Sequence, residues 1–116
     1  MIKDPLSLSL SALADPTRRA ILARLATGEA SVTELAKPFG MSQPAISRHL
    51  KVLEFAGLIE TRQSAQERLR RLKPGALDEI AVCIEKLRAQ WGESFDRLDD
   101  FLKSETVKSD AHGKGL

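Results

Sequence analysis

Between residues 15 and 57 the chain is cut into three short helices by its own caps and glycines, and this punctuation limits the fold more than any other feature. Asp15-Pro16-Thr17 opens the first: an Asp side chain accepts from the free N–H groups of a first turn, and Pro suits a position that needs no N–H. Ile21, Leu22 and Leu25 form its inner face, and Gly28 is expected to end it as a left-handed cap. A second helix begins at Ser31 or Val32, buries Leu35, Ala36 and Phe39, and closes at Gly40. Ser42 caps the third, which runs from Gln43 to about Ala56 with Pro44 in its first turn. Ile46, Leu50 and Leu53 recur at helical spacing and give this helix one apolar stripe, with Gln43, Ser47, Arg48 and Lys51 on the opposite side. Gly57 ends it.

The flanking segments read differently. Leu6-Ser7-Leu8-Ser9-Leu10 alternates like a strand, but Leu6, Leu10 and Leu13 also fit a short helix, which is the expectation here, with Leu8 off its main face. Residues 58–62 and 68–73 form two strands joined by a turn at Ser64-Ala65-Gln66-Glu67. Leu69 and Leu72 are expected inward, and alternation puts Arg68 and Arg70 on one face, opposite Leu69 and Arg71. Pro74-Gly75 breaks the chain. A long helix then runs from Ala76 to about Lys103. Leu77, Ile80, Ile84, Leu87, Trp91, Leu98 and Phe101 repeat in alternating steps of three and four, with Phe95 standing in beside Ser94. That spacing is a coiled-coil-like seam, which calls for a second copy. The division expected is one domain over 1–103 and a flexible tail over 104–116.

Composition removes several alternatives. The 116 residues are 42% hydrophobic, enough for a core and too many for global disorder. Four Phe, one Trp and no Tyr leave little material for the aromatic platforms on which single-stranded bases stack. One cysteine allows neither an internal disulfide nor a cysteine-rich zinc site. No run approaches a bilayer span, and Met1-Ile2-Lys3-Asp4-Pro5 does not read as a secretion signal, so a cytoplasmic protein without membrane partners is expected. The net charge of +2 hides an asymmetry: twelve Lys and Arg face seven acids over residues 1–75, and six face nine over residues 76–116. A basic front suits a polyanion, and an acidic back suits something else.

Two short helices joined by a tight turn, the second polar on its outer face, make a helix-turn-helix, and a following arginine-rich hairpin makes it winged. The fold class expected is mainly α with a small β-hairpin wing. Here the sequence resembles the ArsR family of bacterial winged-helix repressors. Leu13-Ala14-Asp15-Pro16-Thr17-Arg18-Arg19-Ala20-Ile21-Leu22 is similar to the family's opening. Residues 42–54, from Ser42-Gln43-Pro44 to Leu53-Glu54, are similar to its recognition helix, and Ala56-Gly57-Leu58-Ile59 to its run into the wing. The resemblance implies a homodimer that dimerises through the N- and C-terminal helices, binds an imperfect palindrome in double-stranded DNA and represses its own or a neighbouring operon. Many members sense metals through a Cys-Val-Cys stretch, where this chain has Ser31-Val32-Thr33. Others use His and acids on the last helix, which here contains no His between Asp78 and Lys103. The chain therefore resembles the metal-independent branch, with no metal site and no cofactor expected.

Gln43, Ser47 and Arg48 are candidates for base edges, with phosphate contact or a solvated face as the alternative. Lys51 suits a phosphate, and Ser42 can both cap its helix and donate to a phosphate near that helix start. Pro44 and His49 complete the reading helix, His49 at the edge of the buried stripe, where a packed or phosphate-contacting ring is expected. Arg68, Arg70 and Arg71 are the wing candidates. Arg18 and Arg19 could reach phosphates, but one of them is expected to tie helices together through an acid. The dimer interface is assigned to Leu6, Leu8, Leu10, Leu77, Ile80, Ile84, Leu87, Trp91, Phe95 and Leu98. Trp91 and Phe95 could instead line a ligand pocket, and Cys83 reads as a buried inert thiol rather than a redox sensor. No paired carboxylates, nucleophile–base pair or phosphate loop suggests an enzyme. The competing reading is a winged-helix protein–protein module without DNA binding.

Overall fold

The computed structural model describes residues 4–109. The elements are α1 (Pro5–Leu13), α2 (Pro16–Leu25), α3 (Val32–Phe39), α4 (Gln43–Phe55), β1 (Ile59–Ser64), β2 (Glu67–Leu72) and α5 (Asp78–Ser109). They form two compact units, one ending at Ile80 and the other starting at Ala81.

Each helix of the first unit starts on a side chain that accepts from its first turn. Asp4 accepts from Ser7 N at 2.8 Å, Asp15 from Arg18 N at 3.0 Å, and Ser42 from Ala45 N at 3.3 Å. Ser31 and Glu34 cap reciprocally: Glu34 N donates to Ser31 Oγ at 3.2 Å and Ser31 N to Glu34 Oε1 at 2.8 Å. Asp4 and Pro5 settle the ambiguous leucine–serine alternation as helix. Ser9 and Ala12 of α1 are then buried, Leu6 packs on the core and Leu10 stays 42% exposed. The core gathers Ile21 and Leu25 of α2, Leu35 and Ala36 of α3, Ile46, Leu50 and Leu53 of α4, Leu58, and Ile59 of β1. Each such aliphatic side chain contributes about 1.5–3 kcal/mol relative to exposure.

Four expectations need correction. α2 ends at the Ala26 cap rather than at Gly28, because Thr27 and Gly28 donate to the carbonyls of Arg24 and Leu25 and close the turn early. Gly28 has a φ of 146°, outside the left-handed helical region. It leads instead into Ala30, which exchanges two backbone hydrogen bonds with Arg70 of the wing at 3.0 and 2.8 Å. The strands also reach further toward each other than expected. Ser64 pairs with Glu67, so only Ala65 and Gln66 turn the chain. Ile80, expected on the dimer seam, is buried in the chain's own core, because the first turn of α5 belongs to the first unit. Leu72, expected inward, is 36% exposed.

From Ala81 onward α5 forms the second unit by itself. The helix continues to Ser109, past its expected end at Lys103 and into the segment expected to be a flexible tail; the rest of that tail, residues 110–116, lies outside the described residues. Its apolar stripe faces solvent: Ile84, Leu87, Trp91, Phe95, Leu98 and Phe101 are all exposed, Phe95 at 64%. Cys83 is half-buried.

Of the two turn residues, only Ala65 takes a positive φ, 53°, at the position glycine prefers in a type II′ hairpin. Ala65→Gly should therefore raise the unfolding free energy by about 0.5–1 kcal/mol, the relieved strain outweighing glycine's entropy. Urea titration measures this; an unchanged or lowered midpoint would show that the turn carries no such strain.

Candidate nucleic-acid interface

The α4 helix is amphipathic in the strict sense that its two faces have separate duties. Ile46, Leu50 and Leu53 are buried, while Ser42, Gln43, Pro44, Arg48 and Lys51 are exposed and Ser47 and His49 are half-buried at the border. Arg48 and Lys51 make no hydrogen bond or ion pair with any described residue. Gln43 is partly engaged: its Nε2 donates to Thr33 Oγ1 at 3.2 Å and ties the start of α4 to α3. A fork-shaped guanidinium and an ammonium left without partners on an open helix face suit guanine edges and phosphates.

The wing lies beside this face. An open groove of about 390 Å³ is bounded by Ser31, Val32 and Thr33 at the start of α3, by Ser47, and by Gln66, Glu67, Arg68 and Arg70 of the hairpin. Arg68 is exposed and its guanidinium has no acidic partner among the described residues. Arg70 is different. Its Nε is buried without a hydrogen-bond partner among the described residues, and one terminal nitrogen reaches only the Arg68 carbonyl at 3.4 Å. Burial, reinforced by the neighbouring Arg68 charge, pulls the Arg70 guanidinium below its ordinary pKa. Arg71 is paired across the hairpin with Glu60, its register partner, at 2.7 Å. Arg62 is paired with Glu29, and their hydrogen bond holds the Glu29 carboxyl below the ordinary range and the Arg62 guanidinium above its own. The wing arginines named from the sequence are therefore one free, one partly buried and one paired.

Arg18 and Arg19 are also engaged, but with carbonyls rather than through an acid as expected. Arg18 donates to Ala12 O at 2.8 Å and Ser11 O at 3.2 Å, and Arg19 to Leu13 O at 2.7 Å. These carbonyls belong to the last turn of α1, where a helix leaves acceptors unsatisfied and its dipole favours cations. His49 lies 3.9 Å from the Asp15 carboxylate and 3.5 Å from the Arg18 guanidinium. The hydrogen bond from Arg18 N, with the nearby Arg18 charge, holds the Asp15 carboxyl below its ordinary pKa. Glu29 and Glu60 shape this surface and were not singled out from the sequence, and Thr33 was named there only in place of a metal-binding cysteine. The capping spacing at Ser31 and Glu34 is the one local signal that pointed near them.

The helix pair and the adjoining hairpin have counterparts in known proteins. Residues 15–61 match the family described as bacterial regulatory protein, arsR family. An HTH-type transcriptional regulator of Mycobacterium tuberculosis is 44% identical over 94 residues, which cover 81% of this chain and 85% of that protein. The biofilm growth-associated repressor of Agrobacterium fabrum is 40% identical over 83 residues, 72% of this chain and 68% of the other. A homodimeric winged helix-turn-helix DNA-binding domain from Mycobacterium bovis, described as a possible ArsR-family regulator, superposes with a TM-score of 0.62 at 26% identity, covering 75% of this chain and 81% of its own. With an aligned helix-turn-helix and a close relative over most of its length, this chain belongs to the ArsR family and is a DNA-binding transcriptional regulator, not an enzyme.

Proposed function

We propose that the chain works in the cytoplasm as a homodimeric repressor of its own or a neighbouring operon, reading an imperfect palindrome in double-stranded DNA. The observation that carries this reading is the open outer face of α4, with Arg48 and Lys51 unpaired among the described residues beside the exposed Arg68 of the wing. Two copies of α4 would enter successive major grooves about 34 Å apart. Ser42, Gln43, Pro44, Ser47, Arg48, His49 and Lys51 form the reading surface, with Arg48 on a base and Lys51 on a phosphate. Arg68, Arg70 and Arg71 supply the wing. Arg68 is ready to bind, Arg71 must exchange Glu60 for a phosphate, and Arg70 acts mainly at the hairpin's base.

Dimerisation is assigned to Leu77, Ile84, Leu87, Trp91, Phe95 and Leu98 of α5 and its approach, and to Leu8 and Leu10 of α1. The exposure of this apolar stripe in the single chain supports the assignment, as does the homodimeric Mycobacterium bovis neighbour. The interface is drawn without Ile80, and Leu6 contributes mainly to the chain's own core. Metal independence belongs to the same reading. The hydroxyls of Ser31 and Thr33 serve the fold as acceptors for Glu34 N and Gln43 Nε2.

The test is selection of duplexes from random-sequence DNA by the purified protein, followed by footprinting with and without chelator. An inverted repeat protected equally in both conditions is expected; zinc-dependent release would overturn metal independence, and failure to enrich any duplex at low salt would favour the protein–protein module. On the selected duplex, Arg48→Ala should cost about 1–3 kcal/mol and relax the preference at one base pair per half-site. A uniform loss across sequences would move Arg48 to the backbone. Trp91→Glu should give monomers in sedimentation at micromolar concentration and lose most operator affinity; a dimer that still binds would displace the interface from α5.

A further inference from the structure

Arg18 stands where three helices meet, and its donors are used inside the protein. Its Nε donates to Ala12 O at 2.8 Å and one terminal nitrogen to Ser11 O at 3.2 Å, both carbonyls of the last turn of α1. The other terminal nitrogen lies 3.5 Å from Nδ1 of His49 in α4. Its backbone N–H donates to Asp15 Oδ2 at 3.0 Å, and the same carboxylate oxygen is 3.9 Å from that His49 nitrogen. One side chain on α2 thus grips the end of α1 and leans on the helix that carries Ser47 and Arg48. A second link joins α1 and the end of α4 directly, Ser9 Oγ donating to Ala56 O at 3.3 Å.

The chemistry of the contact explains why arginine stands there. The guanidinium is a rigid planar fork whose donors diverge, so it can serve two carbonyls and a ring nitrogen at once. A lysine would keep the charge at one point and lose the fork. An arginine never yields its protons, so a hydrogen bond at this contact requires Nδ1 of His49 to accept.

We propose that Arg18 is a positioning residue for DNA recognition: it fixes the seat of α4 against α1 and α2 through His49, and it is not a phosphate contact. This rests on α4 being the recognition helix.

The closing experiment separates the two ideas. Binding to a duplex selected from random-sequence DNA by the wild-type protein is measured for Arg18→Lys, Arg18→Gln, His49→Gln and the Arg18→Gln/His49→Gln double variant, across a salt series. A positioning role predicts that Arg18→Lys and Arg18→Gln each weaken binding by roughly 3- to 30-fold with the salt slope unchanged. The double variant should lose less than the product of the single losses. A phosphate contact predicts near-wild-type binding for Arg18→Lys and a slope reduced by about 0.9 for Arg18→Gln; either result, or losses that multiply, overturns the proposal. Amide hydrogen exchange of free, folded Arg18→Lys is the second readout, with faster exchange expected for residues 47–51 of α4. Unchanged exchange there would overturn the positioning role by itself. If the wild-type protein selects no duplex, the recognition reading fails and the exchange result alone decides whether Arg18 seats α4.

Discussion

Ile46, Leu50 and Leu53 hold α4 to the core from one side, and the rest of the DNA-binding unit depends on that attachment. A helix proposed to enter a groove cannot be surrounded. It has to draw its stability from a single stripe and leave the opposite face without structural duties. Three fully buried aliphatic side chains can do this, at about 1.5–3 kcal/mol each, because they pack on residues from α2, α3 and the start of the wing together. The division of labour along α4 follows: the deep positions carry stability and the exposed ones carry chemistry. On the exposed side Ser42 also caps the helix start, and Gln43 serves the fold through Thr33. That hydrogen bond is surface-exposed, and a base edge could replace it at little cost.

Electrostatics sharpens the same picture. The basic front half of the sequence looks like an undivided DNA-binding surface, but its cations are in different states. Arg62 and Arg71 face Glu29 and Glu60, Arg18, Arg19 and Arg24 face carbonyls, and Arg48, Lys51 and Arg68 face none of the described acids. Pairs as exposed as Arg71–Glu60 contribute about 0–1 kcal/mol, so a phosphate can compete for the arginine. Arg70 cannot be recruited as readily. Its backbone exchanges hydrogen bonds with Ala30 and its Nε is enclosed, so moving it would loosen the join between the wing and the loop before α3.

Much of this was legible in the sequence because the relevant signals are local. Asp15, Ser31 and Ser42 act within three residues of themselves, and the stripe of α4 repeats with the helix. The strand ends were not legible, because the two-residue turn depends on Ala65 adopting a left-handed φ that its side chain does not advertise. The end of α2 was misplaced for a related reason: Gly28 signals a turn, but it is Thr27 and Arg24 that close the helix, and Gly28 serves the bridge to Arg70. Partners of the arginines were hidden most deeply. Glu60 meets Arg71 only in one strand register, and Glu29 meets Arg62 only when the loop and the wing fold together. Ile80 shows the limit of a periodic pattern: the seam is continuous in sequence, but the core claims its first turn.

That last point bears on how the proposed dimer and the reading helix could be connected. α1 lends Leu8 and Leu10 to the proposed interface, while its own C-terminal carbonyls are held by Arg18 and its Ser9 is bonded to the end of α4. An interface that shifts α1 must therefore either drag α4 or break those contacts. Ser9 and Ala12 are buried on the inner side of α1, so the helix cannot slide freely over the core. A rigid α1 with one exposed apolar edge and one tied end transmits its position more faithfully than a loop would. In the proposed dimer the spacing of the two copies of α4 would then depend on the Arg18 junction in each copy.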